Sequence, residues 1–353
     1  MVHLLVTGAA GFIGSDFVRH WVGSHPDDDV VALDLMTYAA TLESLEEVAA
    51  RIEVVEGDIG DQELVSGILE AHEVDVVVNF AAESHNSLAV LDPERFFRTN
   101  VIGTQRLLEA ARRHGVDRFH HVSTDEVFGE LALDDPGAFT EVTPYRPRTI
   151  YAASKAGADH VVRSYHETFG LPVTISNCAN NYGPFQFPEK VLPVFTTRAL
   201  DDLPMPLYAS TENRREWLHV RDHNRAIEAI LDKGTVGETY MIGSGREASI
   251  MEIADLVLDT LGKPESLKQI VPDRPGHDRR YAVDATKIRQ ELGWAPDVEF
   301  DAGIRDTIRW YADHRSWWEP LRDRAPVVES SWGSPGPGAP TGPSAPTGPG
   351  AEA

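Results

Sequence analysis

The sequence predicts an α/β protein, with a doubly wound parallel sheet and a smaller C-terminal α/β lobe. Three observations indicate this fold class. Short apolar runs alternate with segments of helical spacing through the first half of the chain. These runs are apolar at successive positions, which is typical of parallel strands covered by helices on both faces. A glycine-rich turn joins the first run to the first helical segment.

The predicted elements follow one another along the chain. The first strand is "HLLVTG", and "GFIGSDFVRHWVGS" is its helix. Further strands are expected over residues 29–35, 51–59, 74–82 and 118–124. The segments "QELVSGILEA" and "NVIGTQRLLEAARRHG" have the apolar spacing of helices, and the second ends at Gly115. This alternation favours a sheet with helices on both faces.

The second half of the chain is less regular. Helices are predicted over "IMEIADLVLDTLG" and "FDAGIRDTIRWYADH". We expect a sheet domain over residues 1–178, with 219–243 returning to it, and a smaller lobe from 179–218 and 244–325. Residues 326–353 contain "GSPGPGAPTGPSAPTGPGAEA", which is dense in Pro and Gly and lacks apolar periodicity. They are expected to form a disordered tail.

Composition and charge exclude several classes of function. Of the 353 residues, 32 are Lys or Arg and 56 are Asp or Glu, which gives a formal net charge of −24. Such a chain is poorly suited to nucleic acids and anionic membranes, so neither is an expected partner. We find no signal peptide and no apolar run that could span a membrane. The single cysteine, Cys178, excludes an internal disulfide and a cysteine zinc cluster, so we expect a cytoplasmic protein without a metal.

The glycine-rich turn predicts a dinucleotide site of the Rossmann type. Gly8, Gly11 and Gly14 have G-x-x-G-x-x-G spacing between a strand and a helix. Glycines allow a pyrophosphate to approach the backbone at the helix N-terminus. Asp34 ends the second strand, where a carboxylate accepts hydrogen bonds from ribose hydroxyls and repels a 2′-phosphate, so NAD is favoured over NADP. Asp58 and Ile59 follow the third strand; they either contact the adenine or form an ordinary turn.

A second motif predicts an oxidoreductase site. In "YAASK", Tyr151 and Lys155 lie at positions i and i+4, on one face of a helix. An ammonium group close to a phenol favours the phenolate, so the tyrosine can act as a base near neutral pH. Thr124 ends a predicted strand and could hydrogen-bond a substrate hydroxyl. The pattern occurs by chance in many helices, and its significance depends on the glycine turn.

Two adjacent acids, Asp125 and Glu126, follow Thr124 in "VSTDEVFGE". They form either a solvated surface turn or a catalytic pair in which one acid gives a proton while the other takes one. The residues alone leave both interpretations open.

These motifs together resemble the extended short-chain dehydrogenase/reductase family, and within it the dTDP-glucose 4,6-dehydratases. The resemblance covers roughly residues 3–315. It rests on "TGAAGFIGS", "LDLMTYA", "FAAESH", "TNVIGTQRLLEAAR", "STDEVFGE", "YAASKAGADH", "NNYGPFQFPEKVLP", "REWLHVRDHNRAI" and "DRPGHDRRYAVDATKI".

The resemblance implies a role for the acidic pair. Tyr151 would remove the proton of the sugar 4-hydroxyl while C4 passes a hydride to tightly bound NAD. Glu126 would take the C5 proton and Asp125 would protonate the departing C6 hydroxyl, after which the hydride returns to C6. Elimination needs an ionised base and a protonated acid together, and hence different pKa values for adjacent carboxyls.

The resemblance also implies further ligand contacts. Besides the residues named above, those expected to hold the cofactor are Phe12, Ile13, Thr37, Ala81, Ala82, Ser84 and Thr99. Those expected to hold the nucleotide sugar are Ser84, His85, Thr124, Asn180, Lys190, Val191, Pro206, Tyr208, Arg215 and His277. Asn180 and Arg215 would bind the diphosphate, Lys190 would lie near the sugar, and Tyr208 would stack on the base.

The chain departs from common family motifs at four positions. "AAESHVDRS" is here "AAESHNSLAV", which places Ser87 and Leu88 where Asp and Arg are common. Asn177 stands for an arginine in "TRCSNNYGP", and Ile250 for an asparagine. Either the sugar, the nucleotide base or both differ from those of dTDP-glucose, or these changes are neutral.

Three functions follow as hypotheses. The first is a 4,6-dehydratase of nucleotide sugars that serves deoxysugar biosynthesis for a natural product or a polysaccharide. The second is a 4-epimerase or a dehydratase of another nucleotide sugar, and the acidic pair argues against simple epimerisation. The third is a non-catalytic sugar-nucleotide-binding protein. The resemblance also implies a homodimer, with the helix after "NVIGT" and the "YAASK" helix at the interface.

Overall fold

A computed structural model of the protein describes residues 1–273, 276–322 and 324. The predicted tail, residues 326–353, lies outside these ranges. The strands are β1 (His3–Thr7), β2 (Asp29–Asp34), β3 (Ile52–Glu56), β4 (Val76–Asn79), β5 (Arg118–Thr124), β6 (Val173–Cys178), β7 (Asn180–Tyr182), β8 (Met205–Tyr208), β9 (Arg214–His219), β10 (Thr239–Ile242), β11 (Glu247–Ser249) and β12 (Lys268–Val271).

Helices follow most of these strands. They are α1 (Phe12–Ser24), α2 (Gln62–Ala71), α3 (Asn86–Leu91), α4 (Pro93–Phe97), α5 (Thr104–His114), α6 (Ile150–Phe169), α7 (Val191–Leu200), α8 (Val220–Lys233), α9 (Ile250–Leu261), α10 (Thr286–Leu292), α11 (Phe300–Asp313) and α12 (Arg315–Arg322). Short 3-10 segments cover Leu42–Arg51, Asp125–Phe128 and Glu265–Leu267, and a π-helical turn covers Arg98–Gly103.

Seven of the described strands form a parallel sheet in the order β10-β6-β5-β4-β1-β2-β3. The chain order reverses between β1 and β4, whose paired residues run from Leu4↔Val76 to Thr7↔Asn79. In open α/β sheets, ligands bind outside the carboxyl ends of the strands at such a reversal. The turns after Thr7 and Asn79 therefore border the expected ligand crevice.

Both faces of the sheet are buried. Leu4 and Val6 belong to one apolar cluster, whereas Leu5, between them in β1, belongs to a second cluster on the opposite face. Side chains alternate across a strand, so a strand that is apolar at every position fits only a sheet covered on both sides. The doubly wound α/β fold predicted from the sequence is confirmed.

The smaller lobe has its own apolar cluster, built mainly from α7, α9 and α11. Two short sheets accompany it, in the orders β11-β9-β7 and β12-β8. The chain enters this lobe after β6 and returns to the main sheet through β10. Within the described ranges, no helix has the length and apolar character needed to cross a membrane.

Element boundaries differ from the predictions in a few places. The third and fourth strands end at Glu56 and Asn79, earlier than their apolar runs, because the following residues turn into the crevice. The helix predicted from residue 100 begins as a π-helical turn at Arg98 and becomes regular at Thr104. Its end at Gly115 is confirmed; this residue has a φ of 88°.

Candidate active site

A cleft of about 550 Å³ opens along the carboxyl ends of the main sheet and continues into the smaller lobe. This volume is within the usual range for small-molecule sites. The predicted site residues that line it are Gly8, Gly11, Phe12, Ile13, Gly14, Asp34, Thr37, Asp58, Ile59, Ala81, Ala82, Ser84, His85, Thr99, Thr124, Glu126, Tyr151, Lys155, Asn180, Lys190, Val191, Pro206, Tyr208, Arg215 and His277. Asp125 is the predicted site residue that does not line it.

The glycine turn leaves no room for side chains. Gly8 has a φ of +66°, and a Cβ there would lie 2.7 Å from the backbone nitrogen of Ala81. A Cβ on Gly14 would lie 2.2 Å from the Gly8 carbonyl oxygen. The turn thus brings bare backbone and the N-terminus of α1 to the cleft, the surface that a pyrophosphate requires.

Asp34 holds this turn in place. Its carboxylate accepts hydrogen bonds from the backbone N–H groups of Ala10 at 3.0 Å and Met36 at 2.9 Å. Burial raises the pKa of Asp34, and these backbone donors oppose that effect. Because a carboxylate has about four lone-pair sites, Asp34 can still accept from a ligand hydroxyl.

The acidic pair lies where β5 ends. Thr124 caps a short 3-10 turn over Asp125–Phe128, and its hydroxyl accepts a hydrogen bond from the Glu126 N–H. The same hydroxyl donates to Asp125 Oδ1 at 3.3 Å. Asp125 is only 1% exposed, whereas Glu126 faces the cleft and accepts from the Asn86 amide at 3.4 Å. The two adjacent acids therefore have different environments.

Protonation differs accordingly. Burial raises the pKa of Asp125 well above its usual value, and the neighbouring Glu126 adds to the effect. Asp125 Oδ2 has no hydrogen-bond partner among the described residues. A raised pKa favours the protonated, neutral form of Asp125, which is the form that a general acid needs.

Tyr151 and Lys155 lie on α6, which begins at the Thr149 cap. Burial raises the pKa of Tyr151 well above 10, Glu126 adds to the increase, and the hydrogen bond with Thr124 opposes it. The Lys155 ammonium donates to the Val122 carbonyl at 2.8 Å and lies 3.4 Å from His121 Nε2. Tyr151 and Lys155 thus lie one helical turn apart on α6, and both line the cleft.

At the junction with the smaller lobe, Lys190 donates to the Ser84 carbonyl at 3.0 Å. The neighbouring Glu189 is nearly buried; its carboxylate lies 3.5 Å from His85 Nε2 and 3.4 Å from the Tyr38 hydroxyl. Sequence analysis missed Glu189, although it precedes Lys190 in the quoted motif "NNYGPFQFPEKVLP". Its contact with His85, more than a hundred positions away in the chain, cannot be read from the local sequence.

The distal end of the cleft contains the predicted nucleotide contacts. The Arg215 guanidinium donates to the Asp278 carbonyl at 2.8 Å and lies 4.5 Å above the Tyr281 ring. Tyr208 packs edge-on against His277. The side-chain oxygen of Asn180 is buried without a hydrogen-bond partner among the described residues. Other lining residues that the sequence analysis missed include Trp217 and Tyr281.

The departures from the family motifs lie mostly outside the cleft. Ile250, the first residue of α9, lines it. Asn177 is buried in β6 and donates to the Thr124 carbonyl at 3.0 Å. Leu88 lies on α3 and is not a lining residue. The side chain of Ser87 is outside the described part of the structure. Of the departures with described side chains, only Ile250 can contact a ligand directly.

The fold is that of the Rossmann-fold dehydratases and epimerases, to which similar solved structures belong, among them a dTDP-glucose 4,6-dehydratase and a UDP-glucose 4-epimerase. A family model described as GDP-mannose 4,6 dehydratase matches residues 5–307. The chain belongs to this family, which lies among the extended short-chain dehydrogenases/reductases.

Individual relatives agree with this assignment. A dTDP-glucose 4,6-dehydratase of Mycobacterium tuberculosis is 50% identical over 91% of this chain and 97% of its own length. That of Streptomyces niveus is 46% identical over 95% and 99%. The crystal structure of DesIV, a dTDP-glucose 4,6-dehydratase from Streptomyces venezuelae with NAD and dTDP bound, has a TM-score of 0.88 and 48% identity, with 91% and 100% of the chains covered.

Proposed function

We propose that the chain is an NAD-dependent 4,6-dehydratase of nucleotide sugars, with dTDP-glucose as its substrate. The observation that supports this best is the pair of adjacent acids with different environments at the end of β5, beside Tyr151 and the glycine turn. A simple epimerase needs no acid for a leaving hydroxyl. The similarity to dTDP-glucose 4,6-dehydratases over nearly the whole chain supports dTDP-glucose in particular.

The residues of the cleft fit NAD. The bare turn at Gly8, Gly11 and Gly14 would hold the pyrophosphate, and Asp34 the adenosine ribose hydroxyls. When bound, NAD would supply the hydride acceptor for C4 and the hydride donor for C6. We infer that residues 1–178 and 219–243 form the cofactor-binding part, and that residues 179–218 and 244–325 bind the nucleotide sugar.

The protein side chains would handle the protons. Tyr151 takes the proton of the 4-hydroxyl, with Thr124 as its hydrogen-bond partner. The resulting 4-keto group makes the C5 hydrogen acidic, and Glu126 removes it. Asp125 gives its proton to the C6 hydroxyl, which leaves as water, and Glu126 returns its proton to C5 when the hydride enters C6. Thr124 lines the cleft and donates to Asp125, so it connects the buried acid with the substrate.

The test uses purified protein without added cofactor, incubated with dTDP-glucose and separately with UDP-glucose. We expect alkali-induced absorbance of a 4-keto sugar and the loss of one water by mass with dTDP-glucose, without net consumption of NAD. Turnover of UDP-glucose but not of dTDP-glucose would overturn the assignment of thymine as the nucleobase of the substrate. A product of unchanged mass would indicate epimerisation and overturn the dehydratase assignment.

We infer that the enzyme acts as a homodimer. Val90, Leu91, Phe97 and Ile102 are large apolar residues exposed by 41–58%, and they precede α5 closely in sequence. Exposed apolar residues grouped in this way are typical of protein interfaces. Ile102→Asp should give a monomer by light scattering, whereas Ile270→Asp, at an even more exposed position in β12, should leave the dimer intact. A wild-type monomer would contradict this inference.

A further inference from the structure

Asp159 is a buried carboxylate that the proposed mechanism does not use. It lies on α6 four residues after Lys155, on the same face of the helix, and is fully buried. Three donors converge on its Oδ2 atom: the Tyr145 hydroxyl at 2.8 Å, the Ser123 hydroxyl at 2.9 Å and the Asn177 amide at 3.4 Å. Three donors on one oxygen and the nearby Lys155 ammonium favour the ionised carboxylate, whereas burial raises the pKa of Asp159 above its usual value.

The other oxygen, Oδ1, lies close to the ring of His121. It has no hydrogen-bond partner among the described residues and lies 3.5 Å from His121 Nε2. The Lys155 ammonium lies 3.4 Å from the same ring nitrogen. Asp159 and Lys155 therefore both approach the same ring nitrogen of one buried imidazole.

His121 is neutral, so it does not balance the positive charge of the Lys155 ammonium. The Asn79 oxygen accepts from the Thr7 hydroxyl at 2.6 Å, so its NH₂ group donates to His121 Nδ1 at 3.1 Å. The ring proton is thereby assigned to Nε2. Burial and the Lys155 ammonium lower the pKa of His121 well below its usual value, which keeps the ring neutral.

The surrounding groups leave Asp159 as the counter-charge. Burial lowers the pKa of Lys155, and the Asp159 carboxylate is the first group that opposes this effect. The Cys178 thiol, on β6, also interacts with Lys155, but burial raises its pKa to about 12, so it is neutral. Arg163, on α6, donates to the Tyr145 hydroxyl and is itself a cation. Glu126 and Asp125, on the 3-10 turn after β5, raise the pKa of Tyr151.

We propose that Asp159 is the buried counter-ion that keeps Lys155 in its ammonium form, and that it sets the ionisation of Tyr151 through this lysine. Asp159 is thus a positioning residue, which touches neither substrate nor cofactor. The effect on turnover rests on the proposed function, whereas the effect on the charge of Lys155 does not.

The test is the pKa of Lys155 in the wild type and in Asp159→Asn. The chain has six lysines, so an NMR titration of lysine labelled with carbon-13 at Cε is simple, and Lys155→Met assigns the signal. Removal of the carboxylate charge should lower the pKa of Lys155 by about 1–3 units. More of the enzyme then has a neutral lysine and a less acidic Tyr151. The acid limb of the kcat profile should therefore move to higher pH, and kcat at neutral pH should fall about tenfold, with KM changed less than about twofold.

Controls separate charge from structure. Glu167→Gln removes an exposed charge from the same helix and should leave the pKa of Lys155 unchanged. Tyr145→Phe and Ser123→Ala each remove one donor from Asp159; they should move the acid limb in the same direction by a smaller amount, and they replace Asp159→Asn if that variant does not fold. An unchanged pKa of Lys155, with only a lower Tm, would overturn the inference. A shifted pKa in a protein inactive on dTDP-glucose would overturn the proposed function alone.

Discussion

At the scale of residues, the cleft distinguishes two carboxyls that are adjacent in sequence. Asp125 is buried with an unpaired oxygen, and Glu126 faces the cleft. Two carboxyls can serve as acid and base when their environments separate their pKa values. The 3-10 turn after β5 creates this difference because it directs successive side chains to different surroundings.

The raised pKa of Asp125 predicts a pH dependence. The acid must be protonated to act, and its protonated fraction falls as the pH rises through its raised pKa, so kcat should fall on the alkaline side. Asp125→Asn cannot give a proton; it should lower kcat about 10²- to 10⁴-fold and remove the alkaline limb. The measurement is the pH profile of kcat. An alkaline limb that persists in Asp125→Asn would assign it to another group.

At the scale of elements, the glycine turn and α1 provide a matched pair of substitutions. A Cβ on Gly14 would lie 2.2 Å from the Gly8 carbonyl oxygen, whereas a Cβ on Gly23, in the same helix, meets nothing within 4 Å. Gly14→Ala should cost about 1–3 kcal/mol, because backbone must move, and should weaken NAD binding. Gly23→Ala should stabilise by about 0.5–1 kcal/mol, because it lowers the entropy of the unfolded chain.

Chemical denaturation gives the free energy of unfolding for both variants, and calorimetric titration gives the NAD affinity. Equal changes in the free energy of unfolding in the two variants would show that the turn tolerates a Cβ at position 14. Unchanged NAD affinity in Gly14→Ala would contradict the role proposed for this backbone.

At the scale of the whole molecule, two residues of α8, Glu228 and Asn224, hold α1 in place through hydrogen bonds. Glu228 is hydrogen-bonded to His20 Nε2 at 2.7 Å and His25 Nε2 at 2.8 Å. Asn224, also on α8, donates to Asp16 at 2.8 Å. The helix that begins at the glycine turn is thereby held to the helix that leads the chain back into the main sheet.

This contact predicts a pH-dependent stability. The histidine rings lower the pKa of Glu228 from 4.5 to about 2. A lowered native pKa stabilises the fold above pH 4.5, and the contribution is lost as the pH falls towards 2. Glu228→Gln should therefore lower Tm at neutral pH, with a difference that shrinks in acid. Asp232→Asn, at an exposed site on α8, is the control. A difference that does not depend on pH would indicate lost packing instead.

Local patterns predicted much of the fold and part of the site. The strand-turn-helix context at Gly8 and the end of β2 at Asp34 depend on neighbouring residues, and both residues line the cleft. Glu189 and the network around Asp159 were not predicted. They depend on contacts such as Lys190 with Ser84 and Asp159 with His121, whose partners are distant along the chain.

The sequence by itself determined the doubly wound sheet, the glycine turn and the presence of two adjacent acids after a strand, because these follow from periodicity and spacing over a few residues. Tertiary structure alone decided that Asp125 is buried while Glu126 faces the cleft. It also decided that Asp159 lies close to His121, the ring that Lys155 approaches. Burial and charge pairing arise where separate elements pack together, and they set the protonation on which the proposed chemistry depends.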